Sequence, residues 1–205
     1  MGIREEAFPF AAPPALLAAV LGSLGLYYWA VPFAIAALCV CAFFRDPQRD
    51  PPHDLRLVVS AADGRVIQVE EDEGRLKVSV FMSVFNVHVN RAPFGGRVDA
   101  VLHNPGKFFA AWNDKASLDN EQTRISLATP NGRMDVVQIA GLIARRIVCW
   151  ASPGRAFDRG ERIGLIRFGS RVDHYLPAAR VECLVMVGDR ARSGVTPIAR
   201  WKDDA

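Results

Sequence analysis

From Ala7 to Phe44 the chain carries no charged residue, whereas from Arg45 onward short apolar runs alternate with polar and turn residues. A helix that crosses a bilayer needs about 20 apolar residues. The uncharged run is too long for one such helix and slightly short for two full spans. Pro13 and Pro14 mark a helix start, and Pro32 interrupts the run just after Tyr27, Tyr28 and Trp29, residue types that favour the membrane–water boundary. The pattern therefore predicts helices over roughly Ala15–Ala30 and Phe33–Phe44, arranged as a hairpin or re-entrant anchor. A secretory signal would need a basic start and a shorter apolar core, but Arg4 is offset by Glu5 and Glu6. A soluble core hairpin would show a polar stripe, and none is present.

Asp46 to His53 (DPQRDPPH) is too broken for a helix and too polar for a core. Beyond it the alternation has the two-residue period of strands. Leu57–Ser60 and Arg65–Val69 flank an Ala-Asp-Gly turn. Leu76–Val89 follows, then Arg97–His103. Arg124–Thr129 and Met134–Ile139 flank Pro130-Asn131-Gly132, a hairpin signal, and Ile163–Phe168 and Val181–Val187 complete the set. Only Gly141–Trp150 and Phe108–Lys115 hint at helix. The predicted fold is mostly β, a compact antiparallel sheet or barrel-like domain with few short helices, behind an N-terminal helical membrane anchor. The segments are 1–44 (anchor), 45–56 (linker) and 57–205 (β domain).

Composition narrows the function classes. A chain of 205 residues supports one core domain with an appendage, and 50% hydrophobic residues exclude a disordered or collagen-like rod. A net charge of +3 lacks the clustered excess of a nucleic-acid binder. Arg45 and Arg49, directly after the anchor, place the following domain on the cytoplasmic face of the cell membrane. Cys39, Cys41, Cys149 and Cys183 have neither metal-knuckle nor disulfide spacing and read as small buried residues in a reducing compartment.

Phosphate-loop, dinucleotide, zinc-protease and nucleophile-elbow motifs are absent from the sequence. Of four histidines only His88 falls inside a strand-like segment, Ser83 to Arg91. Asp63 lies in an Asp-Gly turn and Ser170 follows Gly169 at the end of a well-patterned strand. Each has an ordinary structural reading: a bonded core histidine, a turn aspartate, a glycine-serine turn. Together they have the composition of a base-activated nucleophile, although spacing alone does not bring them into contact.

Several segments occur in an order that resembles one family. They are Phe43-Phe44-Arg45-Asp46-Pro47, Ala61-Ala62-Asp63-Gly64-Arg65-Val66, Phe81-Met82-Ser83, and Val87-His88-Val89-Asn90-Arg91-Ala92-Pro93. His103-Asn104-Pro105-Gly106-Lys107-Phe108, Asp114-Lys115-Ala116-Ser117 with Asn120-Glu121, and Gly160 through Asp173 follow. The chain closely resembles the short bacterial, pyruvoyl-dependent phosphatidylserine decarboxylases, which are made as proenzymes. Val84, Asn86 and Gln122 stand where that family often has proline, aspartate and arginine.

The resemblance implies that Ser170 attacks the Gly169 carbonyl, that His88, oriented by Asp63, takes its proton, and that cleavage between 169 and 170 leaves a pyruvoyl group at position 170. That covalent group, with no metal, would form a Schiff base with phosphatidylserine and release carbon dioxide to give phosphatidylethanolamine. The large chain 1–169 and small chain 170–205 would stay together as a heterodimer, with no nucleic-acid partner. His88 would also reprotonate the carbanion, and Asn90 and Arg91 would contact the anionic head group. Three alternatives remain: a membrane-tethered serine hydrolase using Asp63, His88 and Ser170, a decarboxylase of a related serine-headed, archaeal-type lipid, and a non-catalytic membrane-attached β module.

Overall fold

The computed structural model describes residues 2–106, 120–141, 146–167 and 170–202. Contacts divide the chain into two units, Met1–Gln48 and Arg49–Ala205, with the division inside the proline-rich segment.

In the first unit, helices α1 (Phe8–Ser23) and α2 (Tyr27–Phe43) form a hairpin, preceded by a 3₁₀ turn at Glu5–Ala7. Short strands β1 (Gly2–Ile3) and β2 (Arg45–Asp46) pair at its base. The helix boundaries differ from the expectation. Pro13 and Pro14 lie inside α1 and Pro32 inside α2, and the break falls at Gly25, whose φ of 73° needs a residue without Cβ. The amides of Gly25 and Leu26 reach back to the carbonyls of Gly22 and Leu21, closing α1 with a left-handed cap. Internal prolines are tolerated in apolar helices, where neighbouring groups compensate for the missing donor. The helical stretch Glu5–Ser23 is long and apolar enough to cross a membrane, whereas α2, at 17 residues, is shorter. No residue of α1 is buried, so its apolar surface has no protein core to face.

The second unit contains strands β3 (Leu57–Val59), β4 (Gly64–Asp72), β5 (Arg75–Met82), β6 (Val89–Arg91), β7 (Gly96–Asn104), β8 (Gln122–Thr129) and β9 (Gly132–Ala140). These are followed by β10 (Ile147–Cys149), β11 (Ala156–Phe157), β12 (Arg162–Ile166), β13 (Ser170–Pro177), β14 (Val181–Cys183), β15 (Arg190–Ala191) and β16 (Pro197–Trp201). All pairings among the described residues are antiparallel. An eight-stranded sheet runs β11-β7-β8-β9-β13-β5-β4-β15, and two three-stranded sheets run β10-β12-β6 and β14-β16-β3. The mostly β, antiparallel expectation is met.

Alternation along the central strands explains the core. Val78, Val80 and Met82 of β5, Val172 and Leu176 of β13, and Met134, Val136 and Ala140 of β9 share one hydrophobic cluster. It includes Ala61, Ala92, Ile163, Ile166 and Trp201 from outside the large sheet. Every second residue faces this cluster because successive strand side chains point to opposite faces.

Four further expectations need correction. Leu76–Val89 is not one strand: it breaks after Met82, because Asn86 Oδ1 accepts hydrogen bonds from both the amide and the hydroxyl of Ser83, closing a side-chain turn. The helix hinted at over Gly141–Trp150 is, where described, the strand β10, and the one over Phe108–Lys115 lies outside the described residues. The run Val181–Val187 is a strand only to Cys183. The cysteines are free, but none is fully buried: Cys39 is exposed and the other three are partly exposed.

Candidate active site

β13, the central strand that the apolar pattern missed, carries the candidate nucleophile. Ser170 opens this strand, pairing with Met82 on one side and Ala140 on the other. It shares the core-facing side with Val172 and Leu176 and is completely buried, with no hydrogen-bond partner for Oγ among the described residues. The junction expected to cleave, Gly169–Ser170, is described only on its serine side, because Gly169 lies outside the described residues.

His88, also completely buried, precedes β6 rather than sitting within a strand. Its carbonyl accepts a hydrogen bond from the Ile166 amide at 3.3 Å, and Ile166 ends the strand that leads to Ser170. Met82 opposes Ser170 and His88 holds Ile166, so residues 82–88 and 166–170 form a closed circuit with the histidine and serine on it. His88 Nδ1 lies 3.0 Å from the Asn86 carbonyl, which can only accept, so Nδ1 carries the proton and Nε2 is the basic nitrogen.

Asp63 sits just before Gly64, which faces Ala191 across β15. A Cβ on Gly64 would fall 1.9 Å from the Phe81 carbonyl oxygen, and its φ of 153° is equally unsuited to a side chain. The Asp63 turn is thereby pressed against β5. Because β4 lies two strands from β13, the Asp63 backbone is roughly 10 Å from that of Ser170, at about 4.8 Å per strand. Asp63 Oδ2 pairs with Arg49 at 2.9 Å, and Oδ1 accepts the Ser193 amide at 2.7 Å. Sequence reasoning found neither partner.

His174 supports the same turn. Its Nε2 accepts the Ala61 amide at 2.8 Å and its Nδ1 donates to the Val78 carbonyl at 2.9 Å. Burial holds this imidazole below its ordinary value of 6.5, against the opposing effects of the Val78 bond and the Asp173 charge. The unfolded chain therefore takes up this proton before the folded one, so the stability contributed by neutral His174 is present above pH 6.5 and falls as the pH drops below it. Thermal melts between pH 7.5 and 5.5 should show stability falling by up to about 1.4 kcal/mol per pH unit from this group. His174→Gln should start less stable and show a flatter profile. An equal slope in both proteins would assign the pH dependence elsewhere.

Asn90 of β6 and Gln138 of β9 link a three-stranded sheet to the eight-stranded one beside Ser170. Gln138 Nε2 donates to Asn90 Oδ1 at 2.8 Å, and Asn90 Nδ2 approaches Met82 Sδ at 3.7 Å. A lone glutamine within the apolar run Val136-Val137-Gln138-Ile139 was the available sequence signal. Arg91 is buried, and its guanidinium donates to the Gly160 carbonyl at 2.9 Å. Gly164 of β12 makes the close approach possible, since a Cβ there would lie 2.6 Å from both Gln138 Nε2 and the Val148 carbonyl. Gly164→Ala should destabilise the domain by about 1–3 kcal/mol, measured by denaturant titration, because a packed core resists an added methyl.

A cavity of about 800 Å³ lies elsewhere, lined by Pro51, Phe94, Pro130, Phe157 and Arg159 among others. Pro130 lies at the β8–β9 turn, the opposite end of β9 from Ala140 and hence from Ser170. Among the described residues no cluster of His, Cys, Asp or Glu could hold a metal ion.

These features define a mostly antiparallel β protein with an apolar helical hairpin and a serine buried at the start of a central strand. The family model for phosphatidylserine decarboxylase matches residues 36–199. A Pelobacter propionicus protein named phosphatidylserine decarboxylase proenzyme is 50% identical over 212 residues, covering 97% of this chain and 96% of that protein. One of the same name from Geotalea uraniireducens is 47% identical over 201 residues, covering 95% and 94%. The chain belongs to the phosphatidylserine decarboxylase family.

Proposed function

We propose that the chain is a self-processing phosphatidylserine decarboxylase whose cleavage junction is Gly169–Ser170. The observation that carries this reading is the fully buried Ser170 Oγ without a hydrogen-bond partner among the described residues, on the same backbone circuit as His88. A buried hydroxyl without a hydrogen bond costs stability, and a chemical role is one reason for a fold to carry that cost.

In the proposed processing, His88 Nε2 accepts the Ser170 hydroxyl proton as Oγ adds to the Gly169 carbonyl carbon. The Gly169–Ser170 C–N bond then breaks and its nitrogen takes up the proton, giving an ester. Loss of the Ser170 Cα proton breaks the Cβ–Oγ bond and frees the 1–169 carboxylate. One water replaces the resulting enamine nitrogen, which leaves as ammonia, and position 170 becomes pyruvoyl. Asp63 serves as the carboxylate that favours the charged form of His88. The residues fit such a group: Ser170 supplies its atoms without giving up a hydrogen bond, and Gln138 Oε1, on the same strand face and likewise unpartnered among the described residues, is a neighbouring polar atom. When present, the group accepts the electron pair left as carbon dioxide departs.

His88 returns a proton to the product carbon. Asn90 and Arg91 are proposed for the head-group side of the site, where Arg91 retains its bond to Gly160. The 1–169 and 170–205 chains remain associated because β13 pairs with β5 and β9 of the larger fragment. The basic residues Arg45 and Arg49 support a cytoplasmic-face location.

The test is a gel of purified wild-type protein. Two fragments are expected, the smaller resisting N-terminal sequencing because it lacks an amine, with borohydride trapping in the presence of phosphatidylserine. A single intact chain with no trappable carbonyl would refute the proposal, and inhibition of that chain by serine-directed phosphonates would favour the hydrolase. Asp63→Asn should slow cleavage by about 100-fold or more, read as accumulated full-length chain over time.

A further inference from the structure

The row of residues that includes Ser170 continues across the sheet through Met82 and Gly64 to Ala191 at its edge. Charge at this edge is arranged at a cost to the isolated protein. Arg65 of β4 and Arg190 of β15 are direct cross-strand partners and both are exposed. Like charges in that position repel, and neither guanidinium has an ion-pair partner among the described residues. Asp189, next to Arg190 in sequence, accepts the Met186 amide, and Asp63, two residues before Arg65, is paired with Arg49.

Large apolar side chains are exposed on two segments that adjoin the strands carrying these arginines. The loop leaving β5 exposes Phe85 by 84% and Val84 by 45%, four and three residues beyond the Phe81 that pairs with Arg65. The turn entering β15 exposes Met186 by 70% and Val187 by 60%. Its Gly188 and Asp189 are hydrogen-bonded to Val66, next to Arg65. Apolar tips set among unneutralised arginines suit an interface that is apolar below and anionic at its surface.

We propose that the edge formed by Arg65, Arg190, Val84, Phe85, Met186 and Val187 docks onto an anionic lipid bilayer. The arginines meet lipid phosphates while the apolar tips enter the interfacial layer. An N-terminal tether limits how far a domain can move from the membrane but does not orient it. Docking this edge turns the Ser170 end of the sheet toward the head groups. The inference rests on the proposed lipid substrate for its purpose, but one arm of its test does not depend on turnover.

The experiment uses the full chain, with its four cysteines replaced by alanine, reconstituted into vesicles of phosphatidylcholine alone or with phosphatidylglycerol. An environment-sensitive nitrobenzoxadiazole label is placed at Phe85→Cys or, as a control, at Arg133→Cys, an exposed position at the opposite end of β9. The label at 85 should shift to the blue, more strongly in anionic vesicles, and the label at 133 should remain as in water. Arg65→Gln with Arg190→Gln should erase the difference between the two vesicle types. In the otherwise native chain, the same double substitution should lower decarboxylation of vesicular phosphatidylserine about 10-fold, leaving turnover of a monomeric short-chain phosphatidylserine within about 2-fold. A label at 85 that ignores lipid, or equal losses on both substrates, would overturn the docking surface. Failure of the decarboxylase reading would look different: wild-type protein inert on both substrates, with the label response still readable.

Discussion

Ser170→Ala is expected to yield one uncleaved chain of 205 residues with decarboxylase activity reduced by at least about 1,000-fold, because the electron-accepting group is never formed. The same variant should fold normally. Ser170 Oγ has no hydrogen-bond partner among the described residues, so its removal strands no donor or acceptor in the core. Stability should stay within about 1 kcal/mol of wild type, when the latter is measured before processing is complete. Gel electrophoresis, a carbon dioxide release assay and a thermal melt on one preparation separate the alternatives. Full-length chain with a normal melt and no activity is the signature of a lost nucleophile, whereas a cleaved Ser170→Ala chain would remove this residue from the mechanism.

The next largest effect is expected one residue further along the same strand. Arg171 and Asp173 face away from the main core, yet both side chains are completely buried. Arg171 Nε donates to Asp173 Oδ1 at 2.6 Å and its Nη2 to Oδ2 at 3.1 Å, a bidentate pair within a single strand. The same Nη2 reaches Gln68 Oε1 at 2.7 Å and Ser79 Oγ at 2.9 Å, joining β13 to β5 and β4. Asp173→Ala leaves a buried guanidinium without its counter-charge and should cost about 3–5 kcal/mol. In a chain of this length that is a fall in melting temperature of roughly 6–20 °C. Arg171→Met combined with Asp173→Leu should recover most of the loss, since removing both buried charges also removes their desolvation cost. If the double variant is as unstable as the single one, the pair matters through the Gln68 and Ser79 bonds rather than through its charge balance.

The polarity of β13 also explains why sequence patterning passed over it. Ser-Arg-Val-Asp-His-Tyr reads as solvated loop, because pattern rules assume that charge points to water. Here Arg171 neutralises Asp173, and His174 satisfies Ala61 and Val78. Arg171 also reaches Gln68 and Ser79, and the partners of both Arg171 and His174 that lie far along the chain have no local signature. The helix boundaries failed for a related reason: proline was weighed as a breaker, whereas the turn depends on the positive φ of Gly25.

By itself the sequence determined the uncharged N-terminal run, the antiparallel β character of the remainder and, through ordered motifs, the family. These are statements about residue type and spacing, set by burial and by backbone preference over short stretches. Only the tertiary structure decided that Ser170 opens a central strand, that His88 is joined to the same backbone circuit, and that Asp63 is held by Arg49 and Ser193. Those relations arise from strand register and from hydrogen bonds between residues up to 130 positions apart. They are fixed when the sheets pack, and no short window along the chain contains both Asp63 and Ser193.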